Sequence, residues 1–191
     1  MAISARENDG EWIHRRTDLA QTIRPFERDG DNGLSSDDFS LAKEISDAAS
    51  KLSVKAAPWV AMLLLWRALT EVWWENRYLL LWVALEALFG STNPIETTYR
   101  LTQRLAFFLA EDRTQVRGLY DRARAGYAAR SKVVHGFRHL TLDKKKANDL
   151  LADSEWFMRA ALCKILTDAG HRRAFVDERK RENFLDGLIF D

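Results

Sequence analysis

The stretch Tyr78–Phe89, YLLLWVALEALF, decides the fold. Its twelve residues are dominated by apolar side chains, too few to cross a bilayer, and they include Glu86. Gly90 stops this segment. Upstream, Pro58 suits the first turn of a helix carrying Trp59, Leu63, Trp66 and Leu69. No Gly or Pro separates the two runs, and the reading favours two helices meeting near Glu75 to Arg77. Further upstream, Phe39, Ala42, Ile45, Ala49 and Leu52 recur at helical steps behind Ser36 or Asp37 as N-cap. Downstream, Asn93 as cap, Pro94 and Glu96 start a helix running from about Ile95 to Ala110. After a short Glu-Asp-Arg turn, helix resumes from about Thr114 to His135 and ends at Gly136. Thr141 caps a last long helix to about Ala169, with Leu151, Phe157, Ala161 and Ile165 as its core stripe. The expected fold is all-α: a bundle of four to six helices with short peripheral ones. Only 9 Gly and 3 Pro are present, too few for the turns of a sandwich, barrel or doubly wound sheet.

Residues 1–38 read as an appendage and linker, with a short polar helix over Glu11 to Glu27 and a Gly/Asp/Ser stretch over Arg28 to Asp38. Residues 39–170 form the helical domain. Residues 171–191 are a tail whose FLDGLIF is a candidate docking helix. The N-terminus has no apolar signal core, so a soluble cytoplasmic protein is expected, with no membrane partner. The lone cysteine, Cys163, cannot form an internal disulfide and reads as a buried thiol.

Net charge is +1, but the charge is unevenly spread. Tyr99 to Leu140 holds 9 Arg/Lys against 3 Asp/Glu, a local +6, and the remainder balances to −5. Of the 29 basic residues 20 are Arg, the side chain suited to gripping phosphate in a fixed geometry.

Phosphate loops, zinc spacings and Ser-centred nucleophile elbows are absent. What remains is RSKVVHG, Arg130 to Gly136, inside the basic segment. Arg130 offers a permanent cation and His135 a proton carrier near neutral pH. On a straight helix five residues separate them by about 140°. A shared site then needs a long reach, a helix distortion or a second subunit. The plainer reading is a surface Arg and a His favoured by the helix C-terminus. Ser131 and His135 lie one turn apart on one face. Glu86 could orient Arg130 or His135, or pair internally with Arg100 or Arg104. Arg100 and Arg104 could bind phosphates or pair with acids. Tyr127 and Tyr120 could stack a base or serve the core. His139 lies near the motif and reads as an exposed turn. The Trp residues between Trp59 and Trp82 suit core or a dimer interface, and Lys144–Lys146 a solvated face.

LLLWVALEALFG (Leu79 to Gly90), YRLTQRLAFFL (Tyr99 to Leu109), Leu119-Tyr120 and RSKVVHG, in this order, resemble the HEPN superfamily, and within it the Apea-like branch. The resemblance covers about Trp59 to Leu166. It implies an α-helical bundle that dimerises and places two copies of the R-x4-H motif around a cleft. It further implies a metal-independent, cofactor-free endoribonuclease of the kind used in phage defence, toxin–antitoxin systems and RNA processing. Under it, His135 would be the general acid/base, Arg130 the phosphate and transition-state ligand, and Ser131 a helper. Beside these carried-over roles, the reading of the residues themselves makes Glu86 a supporting carboxylate and Arg100, Arg104 and Tyr127 expected RNA contacts. Toxin members of the family often carry H-x-Tyr as a modification site, and here that position is Phe137. Regulation by that route is therefore not expected, while an antitoxin or defence partner of unknown identity stays open. The competing expectation is a catalytically silent module that binds RNA or a protein partner.

Overall fold

Ser35 begins the first helix, α1 (Ser36–Ala49). Its hydroxyl accepts from the Asp38 backbone N–H at 3.2 Å, and the Asp38 carboxylate accepts from the Ser35 N–H at 2.9 Å, a reciprocal capping box. The computed structural model describes residues 5–6, 12–13, 35–91, 97–136 and 144–190. Seven further helices follow among these residues: α2 (Ala57–Thr70), α3 (Trp74–Phe89), α4 (Thr97–Leu109), α5 (Arg113–Gly136), α6 (Lys144–Thr167), α7 (Ala169–Phe175) and α8 (Glu178–Phe190). The fold is all-α. Among the described residues the one exception is a pair of two-residue strands, β1 (Ala5–Arg6) and β2 (Trp12–Ile13), antiparallel with Ala5 opposite Ile13. Trp12 and Ile13 are therefore extended where a helix from Glu11 was expected. The rest of that expected helix lies outside the described residues, as do Asn93, Pro94, Ile95 and Glu96, and Phe137, His139 and Thr141.

Two helix breaks differ from the sequence reading, and in each a carboxylate makes the break. α3 starts at Trp74 because the Glu71 carboxylate accepts from the backbone N–H of Val72 and Trp73, at 2.9 and 3.1 Å. α6 stops at Thr167 because Asp168 caps α7, accepting from the His171 N–H at 2.7 Å.

α3 is the centre of the bundle: ten of its sixteen residues are buried, and it packs on α2, α4, α5 and α6. α6 closes the other side, and Leu151, Phe157, Ala161 and Ile165 are all core residues. Cys163 is half-buried, not fully enclosed. Arg77 of α3 and Glu155 of α6 form a buried ion pair. Burial pushes the Glu155 carboxyl above its usual range, against the pull of Arg77 and Arg159.

The C-terminal end of α3 is held from outside its own helix. Arg104 of α4 donates through Nη1 to the carbonyls of Phe89 and Gly90 at 3.4 and 3.2 Å. Arg181 of α8 donates to the carbonyl of Ala87 at 2.8 Å. Both cations sit where the helix dipole is negative and where carbonyls lack helical partners. Arg104 also binds Asp186 Oδ1 through Nη2 and Nε at 2.8 and 3.2 Å. The C-terminal segment is thus built into the bundle, with Phe175 and Leu185 buried.

Twelve of the fourteen α2 residues are apolar; Pro58, Ala61 and Ala68 are buried, and Met62, Leu64 and Leu65 are partly buried against the core. Leu63 and Trp66 face outward, Trp66 at 67% exposure, with Val60, Leu69 and Val72 also exposed.

Gly126 in α5 lets that helix approach α3. A Cβ there would meet the Trp82 ring at 2.5 Å, and Trp82 is fully buried. Tyr78 donates to the Gly126 carbonyl at 2.5 Å. At Gly118, on the same helix, a Cβ would meet nothing within 4 Å. Gly126→Ala is expected to destabilise by about 1–3 kcal/mol through overpacking. Gly118→Ala should stabilise by about 0.5–1 kcal/mol through helix propensity. Chemical denaturation of both variants checks the contrast.

Candidate functional site

Glu86 lies in the last turn of α3, and Tyr127 and Arg130 lie one turn apart on α5. The close approach at Gly126 brings these two helix faces together. The Tyr127 hydroxyl donates to Glu86 Oε1 at 2.8 Å. Arg130 Nη2 donates to Glu86 Oε2 at 3.3 Å and stands 3.1 Å from Oε1. The Arg130 guanidinium also lies 5.5 Å from the Tyr127 ring centroid, and the Trp82 ring meets Tyr127 edge-on at 5.4 Å. Glu86 therefore anchors a triad whose cation is fixed by one ion pair and one aromatic face.

Arg130 and Glu86 are each about one quarter exposed, at 24% and 25%. The Arg130 Nε is buried without a hydrogen-bond partner among the described residues. Two exposed apolar residues flank the pair, Val83 one turn before Glu86 and Val134 one turn after Arg130.

Of the two sequence alternatives for Glu86, the structure adopts the pairing with Arg130. Arg104 is elsewhere. It is completely buried against Asp186 and the α3 carbonyls, so it cannot contact RNA and is a structural clamp. Tyr127 is also corrected as a base-stacking residue. It is buried, with one edge on Trp82, one face toward Arg130 and its hydroxyl on Glu86. Arg100 is half-buried in the first turn of α4. Ser131 is exposed beside Arg130.

His135 falls within α5, and its side chain lies outside the described residues. The helix is unbroken from Arg113 to Gly136, so no helix distortion relieves the angular separation between positions 130 and 135. Residue 135 shares its helix face with Ser131, not with Arg130.

No protein-family model, curated protein or solved structure matches the chain. What the site can do is therefore judged on its own chemistry. Among the described residues, no group of three or more His, Cys, Asp or Glu could hold a metal ion. No helix among them is long and apolar enough to cross a membrane.

Two residues of the arrangement were beyond sequence reasoning. Asp186 is 82 positions from Arg104, and no local spacing links them. The phenol of Tyr127 as a donor to Glu86 was equally hidden, although Gly126 beside an aromatic signalled a close helix crossing.

The triad predicts energetic coupling. Glu86→Ala should lower stability by about 1.5–3 kcal/mol, since Glu86 accepts a charged hydrogen bond and a phenol. Tyr127→Phe should cost about 1 kcal/mol alone and close to nothing once Glu86 is Ala. Additive effects in the double variant, measured by urea unfolding, would show that the contact is not formed.

Proposed function

We propose that the chain is a metal-independent endoribonuclease that acts as a homodimer, with Arg130 and His135 as its reactive groups, in a defence or stress response. The observation that carries this reading is the setting of Arg130. Its guanidinium is oriented by Glu86 and Tyr127, remains partly open to solvent, and stands five residues before His135 on one helix. The ordered sequence motifs that resemble HEPN proteins supply the choice of reaction.

In that reaction the ribose 2′-oxygen bonds to the adjacent phosphorus and the bond from phosphorus to the 5′-oxygen breaks. The 2′-proton passes to a base and the departing 5′-oxygen receives a proton. The products are a 2′,3′-cyclic phosphate and a 5′-hydroxyl. The nucleophile belongs to the substrate, so the protein has to move protons and stabilise charge. His135 carries the protons. Arg130 neutralises the charge developing on the phosphoryl oxygens, with Ser131 beside it as a hydrogen-bonding helper.

A second subunit answers the separation of residues 130 and 135. The exposed Leu63 and Trp66 of α2, one turn apart on one helix face, offer apolar surface that a second copy would cover. Val83 and Val134 extend apolar surface to both sides of the Glu86–Arg130 pair.

One observation favours a different reading. Glu86 neutralises Arg130, as would suit a catalytically silent module that binds RNA or a protein partner.

Cleavage of varied RNAs in EDTA decides between them. The nuclease reading expects cutting by the wild type and losses of about 10²- to 10⁴-fold in Arg130→Ala and His135→Ala. No cutting by the wild type, or unchanged cutting by His135→Ala, would contradict it. Trp66→Asp with Leu63→Asp should convert a dimer into a folded monomer in sedimentation experiments. A monomeric wild type would contradict the pairing.

A further inference from the structure

Between α4 and α5 lies a groove of about 500 Å³ on the basic segment of the chain. Its walls combine three aromatic rings, Tyr99, Phe107 and Tyr120, with three guanidiniums, Arg113, Arg117 and Arg124. No acidic side chain lines it among the described residues.

The α5 wall follows from the sequence register. Arg113, Arg117, Tyr120 and Arg124 recur at steps of four, three and four, which places them on one helix face. Continuing that register by seven residues reaches Ser131, about 10 Å further along the axis. The groove therefore points toward the end of α5 that carries the reactive residues.

The side chains are arranged for two kinds of contact. Tyr99 is half exposed, at 52%, and meets Tyr120 at 6.2 Å in a T-shaped contact, so part of its ring is open to solvent. The Arg113 guanidinium covers the Phe107 ring at 5.2 Å. Arg117 is paired with Asp121 at 2.8 Å, whereas Arg113 and Arg124 have no ion pair among the described residues. Rings interleaved with unneutralised guanidiniums match a polymer that offers bases and phosphates in alternation. A duplex keeps its bases stacked, and an acidic peptide would leave the rings unmatched.

We propose that the α4–α5 groove binds a single strand of RNA, with Arg113 and Arg124 on phosphates and Tyr99 against a base, and leads it toward Ser131. The choice of RNA over another single strand rests on the endoribonuclease reading, while the groove chemistry stands without it.

The test is fluorescence anisotropy with a labelled oligouridine of about 12 nucleotides. The full chain carries His135→Ala so that the probe stays intact. The expected result is binding that weakens at least tenfold in Arg113→Ala/Arg124→Ala. The slope of log affinity against log salt should fall by about 1.4 in the same variant. Tyr99→Ala should weaken binding about 5- to 100-fold and leave the salt slope unchanged. A duplex RNA of the same length should bind more weakly than the single strand.

Binding by the double-arginine variant equal to that of its parent overturns the proposal. So does equal affinity for the duplex, or equally effective competition by polyglutamate, which would mark a general polyanion surface. Cleavage is assayed separately with His135 restored. If the groove variants lose binding while the restored chain cuts nothing, the nuclease reading fails and the groove stands. If the groove variants bind and cut like their parents, the groove alone fails.

Discussion

The C-terminal end of α3 is held by two arginines that come from other helices, and the rest of the structure depends on that arrangement. A helix end exposes carbonyls that the helix cannot satisfy, and burying them without donors costs free energy. Arg104 and Arg181 supply those donors at Phe89, Gly90 and Ala87. Arg104 is completely enclosed, and its second partner, Asp186, draws α8 onto α4. Burial pulls the Arg181 pKa below its ordinary value, against the neighbouring Glu178 and Glu182. One residue before this clamp lies Glu86. The clamp therefore fixes the Glu86 end of α3 against α4 and α8, while the Gly126–Trp82 approach and the Tyr78 hydrogen bond set α3 against α5 and bring Glu86 to Arg130.

This arrangement explains which parts of the molecule could be read from sequence. Helices with strong apolar periodicity or a glycine stop were legible: the α6 stripe of Leu151, Phe157, Ala161 and Ile165 is buried as expected. The Glu71 break was not, because a carboxylate binding two backbone N–H groups just after a helix leaves no sequence signature, and Asp168, although a good N-cap residue, has no Gly or Pro before it to mark the end of α6. Short-range candidates for the site were legible as residue types. Their roles were not. Arg104 and Arg130 look alike in sequence, but one is walled in by α8 and the other opens to solvent. Tyr127 looks like a base platform until its hydroxyl is seen on Glu86.

The exposed surface completes the account. α2 packs Ala61, Ala68, Leu64 and Leu65 on the core and leaves Leu63 and Trp66 exposed, apolar surface that a further partner could cover. In the proposed dimer that partner is a second copy, and Arg130 of one protomer works with His135 of the other. The near-neutral overall charge is consistent with the proposed enzyme: net positive charge lies along α4 and α5, and the acidic excess elsewhere would limit unspecific adhesion to RNA.

The proposed shared site is tested most directly by complementation. Arg130→Ala and His135→Ala protomers, each inactive alone, are unfolded together, refolded as a mixture and assayed for RNA cleavage in EDTA. The account predicts recovery to about a quarter of wild-type activity, because half of randomly paired dimers are mixed and each mixed dimer keeps one intact site of two. A mixture no more active than its separate components would contradict it.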